Sequence, residues 1–285
     1  MTSVVVLVPV HNRLRRTESV VDCLRRQETT AKVVIVIIDD GSTDGTSEYL
    51  AAQTDVVTLN GNGALFWGGA MEMGLRYALE LCTAGDYILF LNDDTTFAPD
   101  YIEMLMRASR LNDKAIVGSM IHEEGKTPPL SSIGPRIDIT RMRVVDIFDE
   151  LAAAEKANLA EFYFPDALSG RGTLFPIEFF RKYGTLIPRL LPHYFGDYEI
   201  TMRFKRHGAR LVVARDAYVL SPPIYGNSAE GMGRIQRYFS FRSSRNLTHM
   251  LAFFFLVGAP WQRLTAPLRL GAKTVCHAIK RMNVR

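Results

Sequence analysis

Two adjacent carboxylates, Asp39 and Asp40, end the apolar run Val33 to Ile38 and open a Gly-Ser-Thr-Asp-Gly turn. A carboxylate at the end of a buried strand can accept the imide N–H of uracil or a ribose hydroxyl. The same residue types also cap helices. Both roles are expected here, with Asp40 facing a base and Ser42 or Thr43 nearer the cap. A second cluster, Asn92-Asp93-Asp94, follows the run YILFL in the same manner. With no Cys or His beside them, these carboxylates suit a hard cation, Mg or Mn, holding a diphosphate. The third element is FGDYEITMRFKRHG, where Asp197 and Glu199 stand at a helix start that favours carboxylates whatever their role. Acids are sparse in this half of the chain, so Asp197 is the candidate general base.

GNGALFWGGAMEMG carries glycines at dinucleotide-like spacing, but it follows the third strand and holds bulky Leu65, Phe66 and Trp67. That is a poor GxGxxG. The small residues are expected to let a helix begin close to a ligand, with Trp67 packing on the ligand or on the core. No phosphate-binding GxxxxGK[ST], zinc-type HExxH, GxSxG or kinase pattern occurs.

Positioning these groups requires alternating strands and helices. Ser3 to Val8 and Val33 to Ile38 are near-continuous Val/Ile/Leu runs, the pattern of strands buried on both faces. Asp55 to Leu59, Tyr87 to Leu91 and Ala115 to Met120 continue the series. Helical spacing covers Leu14 to Gln27, Thr43 to Gln53, Gly68 to Leu81 and Pro99 to Leu111. Such alternation predicts a doubly wound, mostly parallel sheet with ligands at its carboxyl edge. Between Ile121 and Phe164 the pattern lapses: RVVDIF reads as a strand and LAAAEKANLA as a short helix or loop. It resumes with a strand at Ser169 to Phe175, helices at Ile177 to Tyr183 and Tyr198 to His207, and a strand at Arg210 to Val213.

The order PVHNR, IIDDGSTDGT, NGALFWGGAMEMG, LNDDTTF, SGRGTLF and FGDYEITMR resembles family 2 glycosyltransferases over roughly residues 3 to 220. In motif style it is most similar to bacterial rhamnosyl and galactofuranosyl transferases of surface polysaccharide assembly. The resemblance implies a GT-A fold, α/β with a Rossmann-like mixed sheet, helices on both faces and a C-terminal helical extension. It implies inverting transfer from a UDP- or dTDP-sugar to a hydroxyl of a lipid-linked glycan or glycolipid. By the same resemblance Pro9 and His11 line the base pocket and Asp40 binds the pyrimidine. Asp94, assisted by Asp93, holds the metal, while Trp67 and Gly170 lie by the donor and Asp197 is the base. One departure is visible: SPPIYGNS, after Ala217 to Leu220, holds no histidine where many relatives place a metal ligand. A nucleotidyltransferase of similar fold would need a Gly/Arg/Lys-rich triphosphate loop after the first strand, which is missing. A catalytically silent nucleotide-binding subunit would need a damaged acidic set, whereas Asp40, Asp94 and Asp197 are all present.

The 285 residues are 47% apolar and 22% charged, ordinary globular composition. Their +4 formal charge is unevenly spread. From Gly231 to Arg285 there are ten Lys/Arg and no acid, leaving 24 basic against 30 acidic groups before it. The expected division is therefore a catalytic domain, 1–230, and a basic helical tail, 231–285, meeting an anionic membrane surface or a second copy. No recognition motif joins the charge to nucleic acid. Along the tail MLAFFFLVGAPW is too short to span a bilayer. Leu268, Ala272, Val275, Ile279 and Met282 form a stripe, with Lys273, His277, Lys280 and Arg281 off it. Three scattered cysteines and an N-terminus without a basic leader suggest a cytoplasmic protein, peripheral on the inner face of the membrane.

Overall fold

The computed structural model describes residues 1–125, 130–222, 233 and 236–282, excluding the side chains of 130, 131, 237 and 272–282. Elements in chain order begin β1 (Ser3–Val10), α1 (Leu14–Arg25), β2 (Lys32–Asp39), α2 (Thr46–Ala51), β3 (Val56–Asn60) and α3 (Phe66–Leu81). Next come β4 (Tyr87–Phe90), α4 (Tyr101–Leu111), β5 (Ile116–Glu123), β6 (Leu130–Ser132), β7 (Pro135–Asp138) and β8 (Arg143–Asp146). The short helices α5 (Ile147–Glu150) and α6 (Ala153–Ala157) precede β9 (Phe162–Tyr163), β10 (Thr173–Pro176), α7 (Ile177–Tyr183), α8 (Gly196–Arg206) and β11 (Leu211–Ser221). The basic tail holds α9 (Gln236–Phe239), α10 (Leu247–Val257) and α11 (Pro260–Met282).

The main sheet runs β3-β2-β1-β4-β10-β5-β11-β9, with β6 beside β5. β1 pairs in parallel with both β2 and β4, so three acidic or polar strand ends share one edge. β10 runs antiparallel to β4 and β5, which makes the sheet mixed. Strand alternation sorts the core onto two faces. Val4, Val6 and Val8 join Val20, Leu24 and Leu105 of α1 and α4. Val5 and Leu7 join Met71 and Leu75 of α3 and the Phe175, Phe180 and Phe204 group.

Several boundaries differ from the periodicity. The helix expected from Thr43 begins at Thr46, because Asp44 takes both the Thr46 N–H and hydroxyl, and the Leu14 N–H, within a turn. Capping expected of Ser42 or Thr43 thus falls largely to Asp44. Ser169–Arg171 is loop rather than strand, since the Gly170 N–H is diverted to a side chain described below. RVVDIF divides between β8 and α5, where the Asp146 carboxylate accepts from Phe148 N–H and stops the strand.

The tail shares a core with the body. Phe253, Phe254 and Val257 of α10 and Ala266 and Leu270 of α11 are buried with Met142 and Leu191, and Phe195 and Tyr198 pack beside them. Arg269 of α11 donates to the carbonyls of Ile139 and Thr140. MLAFFFLV is therefore largely core, and its burial of Phe253 alone stabilises by about 2 kcal/mol. Of the expected outer stripe, Leu268 is exposed, and Ala272, Val275, Ile279, Met282, Lys273, His277, Lys280 and Arg281 lie outside the described side chains. Trp261 and Leu264 extend that exposed line, at 55% and 84% accessibility. No helix among the described residues is long and apolar enough to cross a membrane.

Candidate active site

Parallel pairing sets the carboxyl ends of β1, β2 and β4 side by side, and the antiparallel β10 starts at the same edge, with Thr173 opposite Phe90. Pro9 lies opposite Ile38, and His11 and Asp40 follow the two strand ends. The His11 Nδ1–H donates to the Asp40 carbonyl at 2.7 Å, which leaves Nε2 as an acceptor. This bond ties the first loop to the second.

The carboxylate of Asp40 has a task the sequence did not disclose. Its Oδ1 accepts from Gly63 N–H at 2.8 Å, and its Oδ2 accepts from Leu65 and Phe66 N–H at 2.9 and 3.2 Å. Asp40 thereby gathers the loop entering α3 and retains one acceptor site for a ligand. Asp39 is wholly internal, accepting from Ser42 N–H and the Ser47 hydroxyl.

The first turn of α3 is the link across the site. Trp67 donates its indole N–H to Asn92 Oδ1 at 3.2 Å and packs its ring against Gly170, where any Cβ would stand 2.3 Å from its Cζ2. Gly68 meets protein rather than ligand: a Cβ there would come within 2.7 Å of the Leu191 carbonyl, and its N–H donates to Pro192. The expected close approach exists, but to the 191–192 backbone.

Gly170 N–H donates to Asp197 Oδ2 at 2.8 Å, and Tyr198 N–H donates to Oδ1 at 2.9 Å. Both oxygens of the half-buried Asp197 are thus aimed, and burial raises its pKa above the ordinary carboxylate range against those two donors. Glu199, one turn-step away, is excluded from this chemistry by its buried ion pair with Arg203. Phe66 and Phe195, which begin or precede α3 and α8, both adopt left-handed φ, 54° and 69°. Such conformations cost of order 1–3 kcal/mol each and here flank Trp67 and Asp197.

Asp93 and Asp94 follow β4, their side chains 7% and 8% exposed. Arg13 Nη1 stands 2.9 Å from Asp93 Oδ1 and 3.4 Å from Asp94 Oδ2. Burial pushes Asp93 up to about 6 although Arg13 opposes the shift. Asp94 Oδ1 is buried and accepts no hydrogen bond from any described residue. A bare carboxylate oxygen of this kind fits a hard divalent ion, which takes one or two carboxylates and completes its shell with phosphate and water. Asp94, helped by Asp93, would hold it; among the described residues no cluster of three or more His, Cys, Asp or Glu side chains offers another place. The histidine-free stretch 223–228 lies outside the described residues.

The tail closes one wall. Phe241 stacks on Phe66 at 6.1 Å, and His193 meets Phe66 edge-on at 6.0 Å. Burial, chiefly, and the nearby Arg242 hold His193 down to about 4, so it is neutral. A cavity of about 430 Å³ opens here among Phe66, Gln236, Phe239, Ser240, Phe241 and Arg242. Sequence reading missed this wall, because only tertiary packing returns residues 236–242 to α3.

A mixed, mostly parallel sheet with helices on both faces, acids at its carboxyl edge and a further acid on a later helix is a fold of the GT-A kind. Residues 5–152 match glycosyl transferase family 2, and the chain belongs to that family. It is 31% identical over 108 residues to the succinoglycan biosynthesis protein ExoA of Rhizobium meliloti (strain 1021), covering 37% of this chain and 32% of that protein. Two solved structures share the fold. The crystal structure of GalNAc-T7 with UDP, GalNAc and Mn2+ has a TM-score of 0.62 at 17% identity, over 90% of this chain and 48% of that one. S. aureus TarS has a TM-score of 0.57 at 14% identity, over 96% and 53%. The chain therefore spans about a third of the curated relative's length and about half of each structure's.

Proposed function

We propose that this protein is an inverting glycosyltransferase that moves a sugar from a UDP- or dTDP-sugar to a hydroxyl of a lipid-linked glycan. The observation that carries the reading is the chain of contacts from Asn92 through Trp67 and Gly170 to Asp197, which links the half-buried Asp197 carboxylate to the segment that bears the acidic pair. Pro9, His11 and Asp40 line the nucleotide end, and Trp67 and Gly170 lie under the sugar. Asp197 takes the proton of the acceptor hydroxyl as that oxygen bonds to the anomeric carbon. The bond from that carbon to the diphosphate breaks on the opposite face, so configuration inverts. Asp94, helped by Asp93, would hold a Mg or Mn ion, which would supply charge neutralisation for the leaving diphosphate. The name of the relative, succinoglycan biosynthesis, supports a role in polysaccharide assembly. Release of nucleoside diphosphate from a panel of UDP- and dTDP-sugars, with a glycolipid extract as acceptor, tests the reading. Acceptor-dependent release from at least one donor is expected; none from any donor would sink it.

The tail, 231–285, is proposed as the membrane contact that brings the protein to the cytoplasmic face. Phe255, Trp261, Leu264 and Leu268 are exposed and apolar, and Arg263 and Arg269 lie over the Phe255 and Trp261 rings. Aromatic and basic side chains side by side are what an anionic interface accepts. A triple change, W261E/L264E/L268E, is expected to abolish flotation with vesicles containing anionic lipid while leaving thermal unfolding unchanged. Equal flotation of variant and wild type would remove this role; a second copy as the partner would show instead as loss of a dimer in sedimentation.

A further inference from the structure

The buried acidic pair already has a cation on it. Asp93 and Asp94 present two carboxylates, each more than nine-tenths buried, to one guanidinium, so at full ionisation a negative charge is left over. The pair is rigidly placed after β4, and Asp94 is further pinned by its neighbourhood: the Thr95 hydroxyl donates to the Asn92 carbonyl, and Thr96 bridges to Leu220. Arg13 is the adaptable partner. Its backbone is fixed at the entry to α1, where its carbonyl accepts from Thr17, but its side chain is 40% exposed. Arg16 is the further basic group acting on Asp93, through space only. Arg13 engages one oxygen of each acid and leaves Asp94 Oδ1 bare.

We infer that Arg13 is an exchangeable counter-ion that keeps a divalent metal off Asp93 and Asp94 until a nucleoside diphosphate arrives. The inference rests on the donor reading above and deepens it. The bare Asp94 Oδ1 by itself holds an ion weakly; to take both carboxylates the metal must displace Arg13 from Asp93 Oδ1 and Asp94 Oδ2, and so meets a competing charge within the protein. A diphosphate offers the freed guanidinium a partner of matching fork geometry. Metal and diphosphate therefore bind with positive coupling, and the coupling is reciprocal. An ion without nucleotide is held weakly, and the acidic pair faces a cation in either state.

Mn2+ binding to the full-length protein, followed by its electron spin resonance signal and by calorimetry, tests this without reference to sugar transfer. In wild type, UDP or dTDP is expected to tighten Mn2+ about tenfold or more. R13Q is expected to bind Mn2+ about tenfold tighter than wild type without nucleotide, and to lose most of the nucleotide effect. R13M, which removes the hydrogen bonds as well, should behave as R13Q, and thermal unfolding confirms that either is folded. R13Q/D94A should lose the gained affinity, locating the ion. The inference is overturned if both Arg13 variants bind Mn2+ no tighter than wild type, if the gain survives D94A, or if no form binds Mn2+. Tightened Mn2+ binding in a protein that transfers no sugar would fail the donor reading and keep this one. Sugar transfer with unaltered Mn2+ binding would do the reverse.

Discussion

Asp197→Asn is expected to lower turnover about a thousandfold, the scale of a well-placed general base. Donor binding should stay within about twofold in calorimetry, because Asp197 contacts Gly170 and Tyr198 rather than the acidic pair. Asn keeps an acceptor for one of those N–H groups but cannot take a proton. The pH dependence follows from the direction of the shift. Burial raises the Asp197 pKa, and the base works only when ionised, so turnover should fall as pH drops through a value above the ordinary carboxylate range. That acid limb should vanish from whatever activity the Asn variant retains. A variant with wild-type turnover would end the assignment, and an unchanged acid limb would move it to another group.

Phe253→Ala is expected to destabilise the whole protein by about 3–5 kcal/mol, read as a shifted urea midpoint. Phe253 is fully buried, stacks on Phe195 at 5.1 Å and meets Phe254 at 5.2 Å. Phe195 holds its left-handed backbone immediately before Gly196 and Asp197, so the cavity opens directly behind the proposed base. Turnover should therefore fall together with stability. The charge boundary at residue 231 invites a truncation there; the α10 packing predicts that such a truncation leaves Leu191 and Phe195 uncovered and damages the body. A loss under about 1 kcal/mol in the Ala variant would make the tail an independent appendage.

The site was legible where chemistry and chain order coincide. Asp40, Asp93 and Asp94 each follow an apolar run, and parallel pairing of such runs brings their ends to one edge. Asp197 was visible from its place at a helix start among few other acids. Arg13 was not, since nothing local marks an arginine at one helix entry as the partner of carboxylates 80 residues away. His193 and Phe241 were hidden for the same reason. Trp67 left two readings open, ligand or core, and in the fold its ring stands against Gly170 while its indole N–H donates to Asn92.

By itself the sequence determined which residue types stand at strand ends, the alternation of buried runs and amphipathic segments, and the division of charge along the chain. These are local properties, set by side-chain chemistry and by the two periodicities of the backbone. Only the tertiary structure decided how each carboxylate is used. Asp39 was turned inward, Asp40 was drawn onto three amides, Glu199 was paired with Arg203, and Asp94 was left with a bare oxygen. The physical reason is that an acid's role is set by what surrounds it, and those neighbours come from distant segments. The basic tail is the largest instance: its charge is written in the sequence, but its apolar side became core because α8 and the 139–142 segment offered it a surface to bury.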